Sequence, residues 1–160
     1  MRKEIEKASE ANDLRSVAMH TSAAARACGR CHDSLGVETL GDAAGTAPTQ
    51  IEDVGGVMRK HRWAMSRMWD GLIAPSDTTW AAGTKALEES TSHAQQQALV
   101  QGDAQLRALV DDSKKLATEA AQAVTWPERT QTFGALLSTC SSCHQAMRSK
   151  GAMQAPANAK

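Results

Sequence analysis

Apolar side chains recur at spacings of three and four residues along four long segments of this chain, and along a fifth, shorter one. Such spacing places the apolar side chains on one face of an α-helix, whereas a half-buried strand alternates apolar and polar residues. No segment carries a convincing alternating pattern. The sequence therefore predicts an all-α protein.

The first predicted helix runs from about Glu4 to His32 and is followed by a long connector. Gly36 and Gly41 are expected to end this helix, because glycine is the preferred residue just beyond a helix C-terminus. The connector, residues 33–50, is rich in glycine and contains Pro48. The predicted buried stripe of the helix consists of Leu14, Val17, Ala18, Thr21, Ala24, Ala25 and Cys28.

The second predicted helix, from about Ile51 to Ile73, has the most regular apolar seam. His61 lies in the middle of this seam. After Pro75, Ser76 or Asp77 is expected to cap a third, short helix that ends near Glu89. The other members of the seam are Ile51, Val54, Met58, Met65, Met68 and Leu72.

Two further helices are predicted in the C-terminal part of the chain. The first gathers the apolar residues between Leu99 and Val124. Thr125, Pro127 and Glu128 then form a helix start signal, because a Thr cap, an early Pro and a Glu three residues after the cap all favour a helix N-terminus. Residues 151–160 are expected to form a disordered tail. One face of the last helix carries Phe133, Leu136, Leu137, Cys140, Cys143, His144 and Met147.

The composition limits the partners that the chain is expected to bind. Its 18 basic and 18 acidic side chains cancel, so no net field attracts it to nucleic acid or to an anionic membrane surface. No apolar run approaches the roughly 18 residues that cross a bilayer, so no membrane span is expected. The charged N-terminal stretch is unlike a signal peptide, and export would require that such a signal had been removed.

Large aromatic side chains, which usually fill much of a protein core, are scarce in this chain. It has no tyrosine, one phenylalanine and four tryptophans, while alanine is abundant. Small side chains around a large bound macrocycle would explain this composition, and so would an alanine-rich helical bundle without a ligand. The tryptophans are expected to pack in the core rather than to relay electrons.

All four cysteines lie in two pentapeptides, CGRCH at residues 28–32 and CSSCH at residues 140–144. In a helix, the two cysteines and the histidine of such a motif share one face. The pattern is typical of haem c attachment, in which both thiols are joined to the porphyrin and the imidazole coordinates the iron. We therefore predict two covalently bound haem c groups. They would be attached through Cys28, Cys31, Cys140 and Cys143, with His32 and His144 as proximal iron ligands.

Three other uses of the cysteines stay open at this point. Two C-x-x-C pairs can form a zinc site with four thiolate ligands, each pair can act as a redox-active dithiol, and the thiols can form disulfides. None of these requires a histidine directly after the second cysteine. With five histidines in 160 residues, a histidine after both pairs is rare by chance, which favours haem.

The sixth ligand of each iron decides between electron transfer and ligand binding, and His61 is the first candidate. A histidine in an apolar seam needs a buried partner, and its local sequence offers none. Met58 is the alternative one turn earlier on the same face. His20 lies about 18 Å along the helix from His32, so it is a candidate only for the other haem. His93, among Ser, Thr and Gln, is expected to be a solvated surface residue.

The region from about Ile51 to Arg148 resembles the class II c-type cytochromes, the cytochrome c-prime group. The similarity lies in CSSCH on the last helix and in Met58 and His61 early in the first bundle helix. The resemblance implies a four-helix bundle over about residues 51–149 and assigns Met58 or His61 to the haem of the second motif. The chain departs from this pattern in its additional N-terminal helix, which bears CGRCH. The family gives no precedent for ligation of that haem, and His61 could belong to it instead.

The predicted organisation is an N-terminal haem-bearing helix and connector, residues 1–50, followed by the bundle, residues 51–150. The predicted function is that of a periplasmic dihaem cytochrome carrying single electrons between redox protein partners. The families that the chain resembles attach haem c on the outer side of the bacterial inner membrane and often pair as dimers, which implies the location and adds a homodimer to the expected partners.

No general acid, general base and nucleophile form a recognisable constellation in the sequence, so an enzyme is not predicted. Two other functions stay open. One is a nitric oxide or carbon monoxide sensor with one five-coordinate haem. The other is a small peroxidase or a subunit of a haem oxidoreductase, in which His20 or His93 would stand near an open iron.

Overall fold

The computed structural model describes residues 1–37 and 45–151. Within these ranges the chain contains helices and no strand, which confirms the all-α class. None of the described helices has an apolar stretch long enough to cross a bilayer. Gly41 and the predicted tail beyond Gly151 lie outside the described residues. The helices are α1 (Arg2–Glu10), α2 (Leu14–Ser34), α3 (Val54–Ile73), α4 (Asp77–Gln96), α5 (Ala98–Gln101), α6 (Ala104–Gln122) and α7 (Trp126–Ser149).

The single N-terminal helix predicted from the sequence is two helices, because Asp13 caps a new one. Its carboxylate accepts a hydrogen bond from the backbone N–H of Ser16 at 2.8 Å, and its own backbone is extended. This bond satisfies one of the N–H groups left free at a helix start. α2 then continues through the whole first motif, and Gly36 follows it with φ of +62°, as expected of a glycine that ends a helix.

The buried faces of α2 and α3 are rotated from the stripes predicted by apolar spacing. Leu14 was expected to be buried and is about half exposed, at 48%. Ala18, Ala25, Met68 and Leu72 are buried as predicted. Glycines and paired charged residues that apolar spacing does not mark complete the contact faces, and glycine allows close helix packing. The buried face of α2 consists of Ala18, Ser22, Ala25 and Gly29. That of α3 consists of Gly56, Val57, Lys60, Ala64, Arg67, Met68, Gly71 and Leu72.

Helices α3 and α4 form a tightly packed antiparallel hairpin, joined by residues 74–76. Glycines sit where the two backbones approach most closely. A Cβ atom on Gly83 would lie 2.8 Å from the carbonyl oxygen of Ala64, and one on Gly71 would lie 3.0 Å from the backbone nitrogen of Trp80. Ser76 caps α4 by accepting the N–H of Thr79, as the sequence predicts.

Helix α4 runs two turns beyond its predicted end near Glu89, through a stretch rich in Ser, Thr and Gln. Its hydroxyl side chains bond to carbonyls of the preceding turn, so they are satisfied within the helix: Ser90 and Thr91 both donate to Leu87, at 3.0 Å. The helix predicted from about residue 99 to 124 begins later, because Asp103 caps α6 by accepting the N–H groups of Gln105 and Leu106.

Helix α7 begins at the predicted signal, a capping box. The hydroxyl of Thr125 accepts the backbone N–H of Glu128, and the carboxylate of Glu128 accepts the backbone N–H of Thr125. The buried Arg129 follows it and donates to Asp77 at 2.6 Å, which joins α7 to α4. Its guanidinium also lies 4.6 Å from the ring centroid of Trp126. Trp80, 2% exposed, donates its indole N–H to the carbonyl of Ala120 at 2.9 Å, which supports the packing role predicted for the tryptophans.

Helix α2 packs against both α7 and α3, so the N-terminal segment shares the main core. Gly134 lets α7 approach closely, since a Cβ there would lie 3.2 Å from the Cα atom of Met19. The hydroxyl of Ser22 donates to the carbonyl of Thr130. Ala25 of α2 lies in one apolar cluster with residues of α3, α4, α6 and α7. The division into residues 1–50 and 51–150 stays a prediction.

Candidate cofactor sites

The second pentapeptide lies in the C-terminal half of α7 and faces a cavity between the helices. Cys140, Cys143 and His144 all line this cavity, together with side chains of α3, α4 and α6. Its wall is almost entirely apolar. The hydroxyls of Thr91 and Ser113 also reach it, but both already donate to carbonyls of their own helices, at 3.0 and 2.8 Å. We call this cavity, with the second motif, the second site.

His61 of α3 lines the second site together with the motif. The residues alone left open which motif His61 belongs to, and this placement is the one that the resemblance implies. Its Nε2 atom is buried and has no hydrogen-bond partner among the described residues. Burial, together with a smaller effect of the nearby His144, lowers the pKa of His61 to about 4. The imidazole is therefore neutral at neutral pH, and neutral imidazole is the form that coordinates a metal. An unpaired buried polar atom costs free energy, so this nitrogen is suited to a bond that the polypeptide does not supply.

Met58 lies on the same cavity wall, one turn before His61, and packs against a small apolar cluster formed by Val57, Ala94 and Val110. Met58 and His61 are thus both at the second site rather than at the first. The pairing of the second motif with α3 agrees with the arrangement that the resemblance implies. His61 differs from Met58 in its unpaired buried nitrogen, which makes it the stronger candidate.

The second site fits a haem better in its chemistry than in its present size. It offers two thiols, two imidazoles and an apolar wall, which are the groups that hold and surround haem c. The enclosed volume is about 50 Å³, which is less than a porphyrin occupies. The helices that form the walls would therefore have to move apart to enclose the macrocycle.

The thiols of the second site are poorly suited to dithiol redox chemistry. Burial, together with a smaller effect of Cys143, raises the pKa of Cys140 to about 11, and burial also raises the pKa of Cys143. Thiol exchange requires a thiolate, which catalytic C-x-x-C motifs obtain by lowering the pKa. The shift at this site has the opposite direction, so the redox-active alternative is not supported here.

The first pentapeptide lies at the C-terminal end of α2, near α1 and the end of α3. Cys28 lines an open, mostly apolar cavity of about 320 Å³, whose walls also include Ile5 and Trp69. The Sγ atom of Cys28 lies 3.3 Å from the Sδ atom of Met1, while Cys31 is exposed. One turn after Cys31, Leu35 is 70% exposed, so apolar surface continues beside the motif. We call this region the first site.

His32 is held in an orientation suitable for metal binding. Its Nδ1 atom lies 2.5 Å from the carbonyl oxygen of Ile73, a hydrogen-bond acceptor, so Nδ1 carries the proton. Nε2 is then left with its lone pair. Metal-binding histidines commonly donate their other N–H to a backbone carbonyl in this way, which fixes the tautomer and the ring plane. The sequence gave no sign of this contact, because it joins residues 41 positions apart.

His20 lies at the first site and not at the second, so it does not reach the haem for which it was a candidate. It lines the cavity that contains Cys28, and its Nδ1 atom lies 2.8 Å from the carboxylate of Glu4. Because His20 and His32 are on the same helix, His20 is also excluded as the opposite ligand of the first iron. Its contact with Glu4, which the sequence analysis missed, joins α1 to α2.

His93 lies away from both sites, near the end of α4. Its Nδ1 atom bonds to the carbonyl of Glu89 in the preceding turn, at 2.8 Å. It lines neither cavity, and it is half-buried, whereas the sequence predicted a solvated surface residue.

The zinc alternative requires the two cysteine pairs to meet, and they do not. All four cysteines are described and have free thiols, and the pairs lie at separate sites. Over residues 1–37 and 45–151, no group of three or more His, Cys, Asp or Glu side chains is arranged to hold a metal ion. A site with four thiolates within one chain is therefore not supported, nor is a disulfide in either pair.

Comparison with protein-family models, with curated proteins and with solved structures finds no match for this chain. The function has to be argued from the two sites themselves.

Proposed function

We propose that the chain is a dihaem c-type cytochrome that carries single electrons between redox proteins. The observation that carries the proposal is the environment of His61. Its buried, unpaired Nε2 atom lines the same apolar cavity as Cys140, Cys143 and His144. A sequence motif for covalent haem attachment and a spare neutral imidazole come from helices far apart in the chain, and the fold brings them to one site.

At the second site, Cys140 and Cys143 would hold the porphyrin by thioether bonds, and His144 and His61 would be the two axial ligands. Two histidine ligands saturate the iron, which suits electron transfer rather than the binding of a substrate or gas. The apolar wall excludes water from the site and thereby affects the reduction potential. When bound, haem iron supplies a one-electron couple, and the polypeptide sets its potential through ligands and burial.

At the first site, Cys28 and Cys31 would hold the second porphyrin and His32 would be the proximal ligand. The carbonyl of Ile73 orients His32 and makes its imidazole a stronger ligand. The exposed apolar side chains beside the motif, including Leu35, would be covered in part by the macrocycle.

The helix arrangement supports the finer assignment of a class II type of bundle. α3 packs on α4, α4 on α6, α6 on α7, and α7 again on α3. This order agrees with the proposed four-helix bundle that has the second motif on its last helix, with α2 packed against both α7 and α3 as the additional helix. We further propose a periplasmic location and an exported precursor, because haem c is attached there in the families that the chain resembles. A homodimer is part of the same proposal.

A second candidate function, the binding of nitric oxide or carbon monoxide, is favoured by one observation at the first site. Among the described histidines, only His20 lines this cavity, and it cannot face His32 across an iron. The first iron would then be five-coordinate and able to bind a gas. The two functions are compatible, since each would belong to a different haem.

The visible spectrum of the holoprotein, oxidised and reduced, with and without carbon monoxide, tests the proposal. We expect one low-spin haem that does not change with carbon monoxide. The second candidate function predicts in addition that the haem of the first site is high-spin and that its spectrum changes with carbon monoxide. Two low-spin haems would remove the gas-binding function and leave the carrier. Two high-spin haems would contradict ligation by His61, and a protein without a Soret band would overturn the proposal altogether.

A further inference from the structure

The outward face of α3 carries a basic groove next to the second site. It is an open depression of about 610 Å³. Met58 lines both this groove and the cavity of the second site, so one side chain separates the two. We call it the arginine groove. Its polar lining consists of Arg59, Arg62, Ser66 and Arg67.

Two of these arginines carry charge that the fold does not neutralise. Arg59 and Arg62 are exposed, and neither forms an ion pair or hydrogen bond with any described residue. They are three residues apart on α3, so their guanidinium groups extend from the same face. The carboxylate of Asp53 caps α3 by accepting the N–H of Gly56 at 2.6 Å and forms no ion pair with either arginine.

The other cations of this region are engaged within the fold, which sets Arg59 and Arg62 apart. Lys60 is buried and donates to Glu89 at 2.5 Å, and Arg67 is buried and pairs with Asp70. The chain has no net charge, so long-range attraction cannot bring a partner to it. Association has to rely on local patches, whose effect reaches about 10 Å at 0.1 M salt.

We propose that the arginine groove is the docking site of a protein that presents a cluster of Asp and Glu side chains. Arginine pairs with carboxylates through two parallel hydrogen bonds, and both Arg and Trp are enriched at the energetic centres of protein interfaces. Trp63 also lines the groove and is a side chain of this kind. That the acidic protein is a redox partner rests on the proposed function, since it would dock beside the second site.

Binding of a fluorescent decaglutamate peptide to the holoprotein, followed by anisotropy, tests this inference. We expect salt-sensitive binding, weakened about tenfold in Arg59→Glu/Arg62→Glu at low ionic strength, because two exposed attractions become repulsions. The matched control is Lys114→Glu/Lys115→Glu, which changes the net charge equally on α6, a helix that packs on α4 and α7. The control should bind within about twofold of the wild type.

Three results would overturn the inference. The wild type could fail to bind the peptide, or both double variants could weaken binding equally, which would indicate an effect of net charge alone. Inorganic phosphate, added at the same total charge as unlabelled peptide, could displace the labelled peptide equally effectively. This result would indicate a site for small anions. Peptide binding at the arginine groove can fail or succeed independently of the proposed function, because haem content is measured separately by mass and by the Soret band.

An anionic membrane surface is the remaining alternative partner for the arginine groove. Vesicles of phosphatidylcholine with phosphatidylserine should not sediment the wild type more than the Arg59→Glu/Arg62→Glu variant at 0.1 M salt. Sedimentation that depends on these arginines, without peptide binding, would assign the groove to a membrane surface and overturn the proposal of a protein partner.

Discussion

The Nδ1 atom of His32 lies 2.5 Å from the carbonyl oxygen of Ile73, so the last turn of α3 holds the imidazole of the first motif. The same helix, near its other end, presents His61 to the second motif. α3 therefore reaches both candidate sites, orienting the proposed proximal ligand at one and carrying the proposed opposite ligand at the other. The twelve residues between the two contacts span about 18 Å of helix.

The assignment of His61 as an axial ligand predicts a selective effect of its removal. In His61→Ala, one haem should change from low spin to high spin and gain the ability to bind carbon monoxide, while the other haem is unaffected. Met58→Ala is the matched control, since Met58 lines the same wall one turn away. Absorbance and electron paramagnetic resonance measure the outcome. The assignment fails if His61→Ala stays low spin, or if Met58→Ala is the variant that changes.

The position of His20 predicts that its loss leaves both haem spectra unchanged. It is tied to Glu4 at 2.8 Å and lies on the same helix as His32. His20→Ala should instead loosen α1 and lower the midpoint of urea unfolding slightly, because the contact with Glu4 is lost. Glu4→Gln should produce a loss of similar size. A change in the spectrum of either haem in His20→Ala would show that His20 is a ligand after all.

At Gly29 the backbones of α2 and α3 are so close that a larger residue would disrupt their contact. A Cβ at this position would lie 2.2 Å from the carbonyl oxygen of Leu72, where α2 crosses α3. Gly29→Ala should therefore destabilise the protein by about 1–3 kcal/mol, the range for overpacking. At Gly55 a Cβ would meet nothing closer than 3.5 Å, so Gly55→Ala should be neutral or slightly stabilising. Urea unfolding followed by circular dichroism compares the two, and equal effects would contradict the close crossing.

The ion pair between the buried Lys60 and the exposed Glu89 predicts a dependence of stability on pH. The hydrogen bond from Lys60 holds the pKa of Glu89 below its usual value near 4.5. Because the pKa is lower in the folded state than in the unfolded chain, the stabilisation is fully present above about pH 4.5. It is lost as the pH falls through the lowered value.

Glu89→Gln should thus lower the free energy of unfolding at pH 7 by about 1 kcal/mol, a modest figure because the Glu89 side chain is 46% exposed. The difference from the wild type should shrink as the pH falls below 4.5. Glu88→Gln, one residue earlier on α4, is the control and should change little. A constant difference at all pH values would contradict the ion pair.

Local signals in the sequence predicted the parts of the fold that depend on neighbouring residues. The start of α7 at Thr125 and of α4 at Ser76 follows from capping chemistry, which is encoded within four residues. Both motifs lie in helices, as expected. The break at Asp13 and the later start of α6 at Asp103 were missed, although each is marked by an Asp cap, because apolar spacing was given more weight than the cap.

Contacts between segments that are distant in the chain could not be predicted from the sequence. His61 was singled out because it interrupts an apolar seam, and the structure places it at the second motif. The contact of His32 with Ile73 and the role of Gly29 depend on how α2 crosses α3, for which one sequence holds no direct signal. His20 was assigned to the wrong site for the same reason.

The central claim is that each pentapeptide carries a covalently attached haem. Mass spectrometry of the denatured protein, produced in cells that mature c-type cytochromes, tests it most directly. We predict a mass equal to the polypeptide plus two haem groups, with one group lost in Cys28→Ser/Cys31→Ser and the other in Cys140→Ser/Cys143→Ser. The mass of the bare polypeptide in the wild type would contradict the account.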